Sequence, residues 1–154
     1  MSDHTASAAA ATAEFDSIVG RFRTEVHWGD CDPAGIIFYP TYFRWFDAAT
    51  WNFFSQVGYT VKRMRAEHLA TPLVSAQCQF KASPVHGDVC EVMSRIVRWG
   101  GKSFNLAHQV VREDGMLLAE GSETRVWARR ADADAPLRGV TIDEDLKALF
   151  RAPR

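Results

Sequence analysis

Apolar and polar positions first alternate along the chain, then recur with a helical period, then alternate again. In "RFRTEVHW" (residues 21–28), Phe22, Thr24, Val26 and Trp28 share one face and Arg23, Glu25 and His27 the other, which predicts a strand. "GDCDPAG" (29–35) ends it with Gly29, Pro33 and Gly35. A helix is predicted from about Thr41 to Val57, with Pro40 near its first turn, where a missing N–H costs little, and Gly58 as its stop. Tyr42, Phe46, Ala49, Phe53 and Val57 form its apolar stripe, and Phe43, Trp45, Ala48 and Phe54 widen it. A helix apolar over so much of its circumference must be enclosed on more than one side.

Residues 61–69 predict a second, short helix. The period then returns to two: residues 72–82, 88–99, 102–113 and 116–130 all read as strands, separated by "SPVHGD", "GG" and "DG". Gly100-Gly101 and Asp114-Gly115 are hairpin-turn pairs, and strands joined by such short turns run antiparallel. Residues 143–151 predict a terminal helix. The implied fold class is α+β: an antiparallel sheet of about five strands wrapped around one long helix. Residues 1–19, rich in Ala, Ser and Thr, read as a mobile tail, and 20–154 as a single domain.

Composition narrows the function. With 154 residues, 47% apolar and 24% charged, the chain has the make-up of an ordinary globular domain. A net charge of -1 argues against a general nucleic-acid binder, while leaving room for a local basic patch that holds a phosphorylated ligand. No apolar run is long enough to span a membrane, and no secretory leader is evident, so a cytoplasmic setting is expected. Cys31, Cys78 and Cys90 are odd in number and far apart, which predicts neither disulfides nor a zinc knuckle. The spacing of His27, Asp30, Cys31 and Asp32 matches no standard zinc pattern, so no metal or cofactor is expected.

The segment "WGDCDPAGIIFY" (28–39) concentrates the candidate chemistry. It leads into the predicted helix N-terminus, where free backbone N–H groups and a partial positive charge suit a developing oxyanion. Asp32, fixed in a Pro/Gly turn just upstream, is placed to face a carbonyl bound there. The alternative for an Asp before Pro is a turn former or cap. Asp30 is expected to brace the loop. Cys31, flanked by two carboxylates, is a poor nucleophile. Asp47 lies three residues after Arg44, the spacing of an intrahelical ion pair.

"GDCDPAGIIFYPTYFRWFDAAT" (29–50), followed by four strands and "KSF" (102–104), resembles the 4-hydroxybenzoyl-CoA thioesterase family over roughly residues 20–130. The resemblance implies a hotdog fold, hydrolysis of an acyl-CoA thioester without a cofactor, and homodimers or homotetramers. It implies Asp32 as the catalytic carboxylate and the backbone N–H at about Tyr39 as the oxyanion donor, with Asp30 and Gly35 shaping the loop. It also implies that Lys102 and Ser103 touch the nucleotide of CoA. That family's hairpin is more basic than "GGKSF", so Arg129 and Arg130, ending the last strand, are further candidates. Tyr39-Pro40 departs from the Tyr-His of short-chain acyl-CoA relatives and points to an aromatic acyl group. The competing class is a non-catalytic hotdog protein that binds acyl-CoA or a protein partner. A hotdog dehydratase would need a histidine on the helix, and none is present there.

Overall fold

The structure, a computed structural model, describes residues 16–153. In chain order the elements are β1 (Gly20–Glu25), α1 (Pro40–Gln56), α2 (Val61–Ala66), β2 (Leu69–Ala70), β3 (Leu73–Phe80), β4 (Val89–Trp99), β5 (Ser103–Arg112), β6 (Leu117–Val126), β7 (Ala128–Arg129), β8 (Arg138–Gly139) and α3 (Glu144–Leu149). Five strands form one antiparallel sheet in the order β1-β4-β5-β6-β3. The expected sheet packed on one long helix is therefore observed.

The apolar stripe of α1 explains why the helix lies there. Tyr42, Trp45, Phe46, Ala49, Phe53 and Phe54 are all buried. At about 1.5–3 kcal/mol for each large side chain removed from water, this face dominates the core. The first half of α1 packs with Val26, Ile37, Val92, Val110 and Leu118, the second half with Ile96, Phe104, Leu106 and Phe150. Two glycines make room: a Cβ at Gly20 would collide with the Phe53 ring, and one at Gly121 with the Phe46 ring. Only Arg44, Asp47 and Gln56 on α1 are exposed, so the helix shows solvent a narrow stripe. At its C-terminal end Gly58 takes φ +94, a left-handed conformation that glycine adopts without steric cost.

Three expectations are corrected. The first strand stops at Glu25, and Trp28 sits in a single 3-10 turn (Trp28–Asp30) with 74% of its surface exposed, not on the buried face with Val26. The predicted strand 116–130 is broken at Trp127. Trp127 N–H donates to Lys102 O at 2.8 Å, and beyond it β7 leaves the main sheet to pair with β2 and β8. The predicted tail 1–19 lies outside the described residues up to residue 15, but its last part is anchored. Ser17 is buried and its hydroxyl accepts from Ile96 N–H at 3.2 Å, and Ile18 N–H donates to Phe150 O at 2.9 Å.

Candidate active site

The segment between β1 and α1 is a tight hairpin. Asp32 N–H donates to Ile36 O and Gly35 N–H to Asp32 O, both at 2.9 Å, and Cys31 and Ile37 form an antiparallel bridge. Gly35 closes the turn at φ +78, where a Cβ would be strained. The Asp32 carboxylate is half-buried, and its Oδ1 accepts the Ala34 N–H at 2.8 Å, which fixes the side chain and keeps a lone pair of the other oxygen available. Phe38 N–H donates to Asp30 O at 2.7 Å, so the backbone leading to Asp32 and the backbone leading to Tyr39 run side by side. Pro40 opens α1 and carries no N–H. The N–H of Tyr39, just before it, has no acceptor among the described residues. A fixed carboxylate and an unspent amide at a helix N-terminus are the two parts that acyl transfer requires.

Asp30 braces the loop as expected. Its Oδ2 accepts His27 N–H at 2.9 Å and its Oδ1 accepts from Arg44 Nη2 at 3.0 Å. The second contact corrects the expected Arg44–Asp47 pair. Asp47 instead accepts from Arg125 Nη2 at 2.8 Å, so the two α1 charges point to different partners. The loop 81–88 closes the other side: Ile37 N–H donates to Pro84 O at 3.1 Å, and the exposed rings of Trp28 and His86 stack at 4.1 Å.

Sequence reasoning missed a buried polar network behind α1. Arg125 donates to both oxygens of Glu123, at 2.9 and 3.0 Å, and to Thr71 O at 3.1 Å. Glu123 Oε2 also accepts from Thr50 Oγ1 and lies 3.2 Å from His108 Nε2. A carboxylate only accepts, so His108 Nε2 donates to Glu123, and its Nδ1 lies 2.8 Å from Ser94 Oγ. Burial works to raise the Glu123 carboxyl, but the His108 and Arg125 hydrogen bonds outweigh it and hold it at about 2. The available signal was inward-facing Glu123 and Arg125 two apart on an otherwise buried strand face. The network engages Asp47 through Arg125. Burial pushes the thiols of Cys78 and Cys90 up to about 11, which makes them inert, and all three cysteines are free.

The proposed nucleotide contacts gather at the far end of the sheet. Lys102 lies in the β4–β5 turn with Ser103 next to it at the start of β5, and its aliphatic stem approaches Gly139 of β8. Arg129 stands opposite Arg138 in the β7–β8 register. Lys102, Arg129 and Arg138 make no ion pair among the described residues, whereas Arg130 donates to Ala135 O at 2.7 Å and ties down the loop after β7. Arg138 was not foreseen, because the two-residue strand that carries it leaves no periodic signal.

A family model described as the thioesterase-like superfamily matches residues 26–150. The chain belongs to this superfamily. Its enzymatic class is thioester hydrolysis, and its fold is the hotdog fold of the thioesterases. The chain is 36% identical over 130 residues to the 4-hydroxybenzoyl-CoA thioesterase of Pseudomonas sp. strain CBS-3, an alignment spanning 80% of this chain and 91% of that one. The solved structure of the 4-hydroxybenzoyl CoA thioesterase from the same strain matches with a TM-score of 0.76 at 33% identity, covering 85% of this chain and 98% of that one. A gentisyl-coenzyme A thioesterase structure matches with a TM-score of 0.73 at 32% identity, covering 84% and 98%.

Proposed function

We propose that the protein hydrolyses an aromatic acyl-CoA thioester of the 4-hydroxybenzoyl-CoA type. The observation that carries this reading is a fixed Asp32 carboxylate in the hairpin whose other arm, tied by Phe38 N–H to Asp30 O, leads directly to the unspent Tyr39 N–H at the start of α1. The thioester carbonyl oxygen accepts from Tyr39 N–H, where the α1 dipole stabilises the negative charge that develops in the transition state. Asp32 supplies the reactive oxygen. It either attacks the carbonyl carbon and expels the CoA thiolate, leaving a mixed anhydride for water to cleave, or takes a proton from an attacking water. Exposed Phe38 and Tyr39 rings beside the loop offer apolar area to an aryl group. Two named relatives, a 4-hydroxybenzoyl-CoA thioesterase and a gentisyl-coenzyme A thioesterase, carry aromatic acyl groups in their names, which supports the same substrate class.

Lys102, Arg129 and Arg138 hold the CoA phosphates. Like charges set directly opposite each other on a short ladder repel, and an anion between them relieves this. Two copies assemble through the free edge of β3, and the setting is cytoplasmic.

Free-thiol release from a panel of acyl-CoAs tests the proposal. 4-Hydroxybenzoyl-CoA and related aryl thioesters should turn over faster than acetyl- or palmitoyl-CoA. Asp32→Asn should fold, bind the thioester and lose about 10²–10⁴-fold in kcat, the range for a positioned base or more for a nucleophile. Single turnover in ¹⁸O-water separates the two routes, since label enters Asp32 only if the anhydride forms. Wild-type turnover by Asp32→Asn would overturn the assignment and move the search to Asp47.

A further inference from the structure

Arg44 sits in the exposed stripe of α1, where a charged side chain ordinarily means solubility. Its contacts are more specific than that. Nη2 donates to Asp30 Oδ1 at 3.0 Å and to Thr41 Oγ1 at 3.1 Å. Thr41 Oγ1 in turn donates to Asp30 O at 3.3 Å. Asp30 therefore collects five hydrogen bonds: His27 N–H and Arg44 on its carboxylate, Phe38 N–H and the Thr41 hydroxyl on its carbonyl, and the carbonyl of His27 from its own N–H. Asp30 stands two residues before the reactive carboxylate, and Phe38 stands one residue before the oxyanion donor. Thr41 and Arg44 belong to the first turns of the helix whose N-terminus supplies that donor.

We infer that Arg44 is a positioning residue for the reaction: by clamping Asp30 to the first turns of α1, it fixes the Asp32 carboxylate relative to the Tyr39 N–H. This rests on the roles proposed for Asp32 and Tyr39. The two reacting groups sit on different units, a loop and a helix, whose backbones join through the hairpin 31–37 and the Phe38 N–H bond to Asp30 O. The Asp30–Arg44 pair is the single charged tie between those units among the described residues. Asp30 is mostly buried, with 15% of its side chain exposed, while 66% of the Arg44 side chain is exposed. With its Arg44 half open to water, and with His27 N–H still bonded to the Asp30 carboxylate, the pair contributes modestly to global stability. Near-attack geometry is far less forgiving, since a displacement of about 1 Å can cost about 10²-fold in rate. The pair thus matters more for turnover than for folding, the reverse of what a structural ion pair would show.

Steady-state kinetics on the full chain with an aryl-CoA test this. Arg44→Ala should lower kcat by about 10- to 100-fold, with KM changed by less than about threefold and Tm close to wild type. Guanidinium ion, well below denaturing concentration, should restore part of the kcat of Arg44→Ala. It should do nothing for Arg44→Ala combined with Asp30→Asn, because the rescuer then has no carboxylate to bind. Arg44→Lys should retain more kcat than Arg44→Ala. The double mutant should be no slower than the slower single mutant, because both act through one contact. A wild-type kcat for Arg44→Ala overturns the inference, as does a loss of kcat matched by a large fall in Tm with no guanidinium rescue. Failure here is distinct from failure of the proposed reaction, because Asp32→Asn reports on that reaction with Arg44 intact.

Discussion

At the scale of single residues, what each cation already touches decides which ones are available to a substrate. The Arg130 guanidinium is engaged with Ala135 O, so Arg130→Ala should loosen the loop after β7 before it affects binding. Lys102 and Arg138 make no ion pair among the described residues, and the Lys102 stem approaches Gly139, the residue after Arg138. They are remote from Asp32 in the chain, and in the proposed role at the nucleotide end they would contribute equally to ground state and transition state. Lys102→Ala and Arg138→Ala should therefore each raise KM several-fold with kcat nearly unchanged, as initial-rate measurements would show. An unchanged KM in both variants would place the phosphates elsewhere. Cys31→Ser should retain wild-type turnover, because the Cys31 thiol only points back to the His27 carbonyl at 3.7 Å and no step uses it.

At the scale of elements, the helix that the sequence shows plainly is also the one on which packing depends most. Phe46 is fully buried, stacks on the His108 ring at 4.7 Å, and lies where Gly121 has no side chain. Phe46→Ala should cost about 3–5 kcal/mol and Gly121→Ala about 1–3 kcal/mol, by denaturant unfolding of each variant. The two routes differ, a cavity in one and an overlap in the other. The limits of α1, the hairpin strands and the Asp32 turn were legible because each rests on local signals: period, proline, and glycines at positive φ. Trp127 was not legible as a break, since its alternation runs on unchanged and only the Lys102 and Val140 backbones, distant in sequence, divert the chain. Trp28 was misplaced for a related reason. Its parity with Val26 is right for a strand, but the Asp30 carboxylate captures the His27 N–H and starts a turn instead. The Arg44–Asp47 pair failed because each charge found a better partner across the fold, and that is information a single helix does not hold.

At the scale of the whole molecule, two properties follow from how the sheet is assembled. The first is acid sensitivity. The Glu123 carboxyl lies at about 2 in the fold against an ordinary value near 4.5, because hydrogen bonds from His108 and Arg125 overcome its burial. A depressed carboxyl contributes stability that is complete above its unfolded value and is lost as pH falls through the folded one. Stability should therefore decline from about pH 4.5 towards pH 2, and Glu123→Gln, less stable at neutral pH, should show a shallower decline. Unfolding curves at a series of pH values check this, and parallel declines would remove Glu123 from the account.

The second property is assembly. β3 lies at the edge of the sheet with one side paired to β6, and Leu73, Val74 and Phe80 along it are 49%, 64% and 52% exposed. An unpaired edge of eight residues with exposed apolar side chains is a template for another strand, and a second copy of this chain carries the matching edge. The same strand reaches the site, since Phe80 packs against the Tyr42 ring at 5.3 Å and against Tyr39 at 6.5 Å. A partner docked on β3 would thus cover the exposed aromatic rings beside the proposed oxyanion donor. Sedimentation at low micromolar concentration should show a dimer or a tetramer built from dimers. Val74→Lys places a charge on the edge without touching Asp32, Arg44 or the buried network, so it should yield monomers that keep their fold by circular dichroism. Those monomers should lose most aryl-CoA turnover through KM, because the rings beside the proposed site are left uncovered. A Val74→Lys monomer with wild-type kcat and KM would show that one chain holds a complete site, and the dimer would then be a matter of solubility alone.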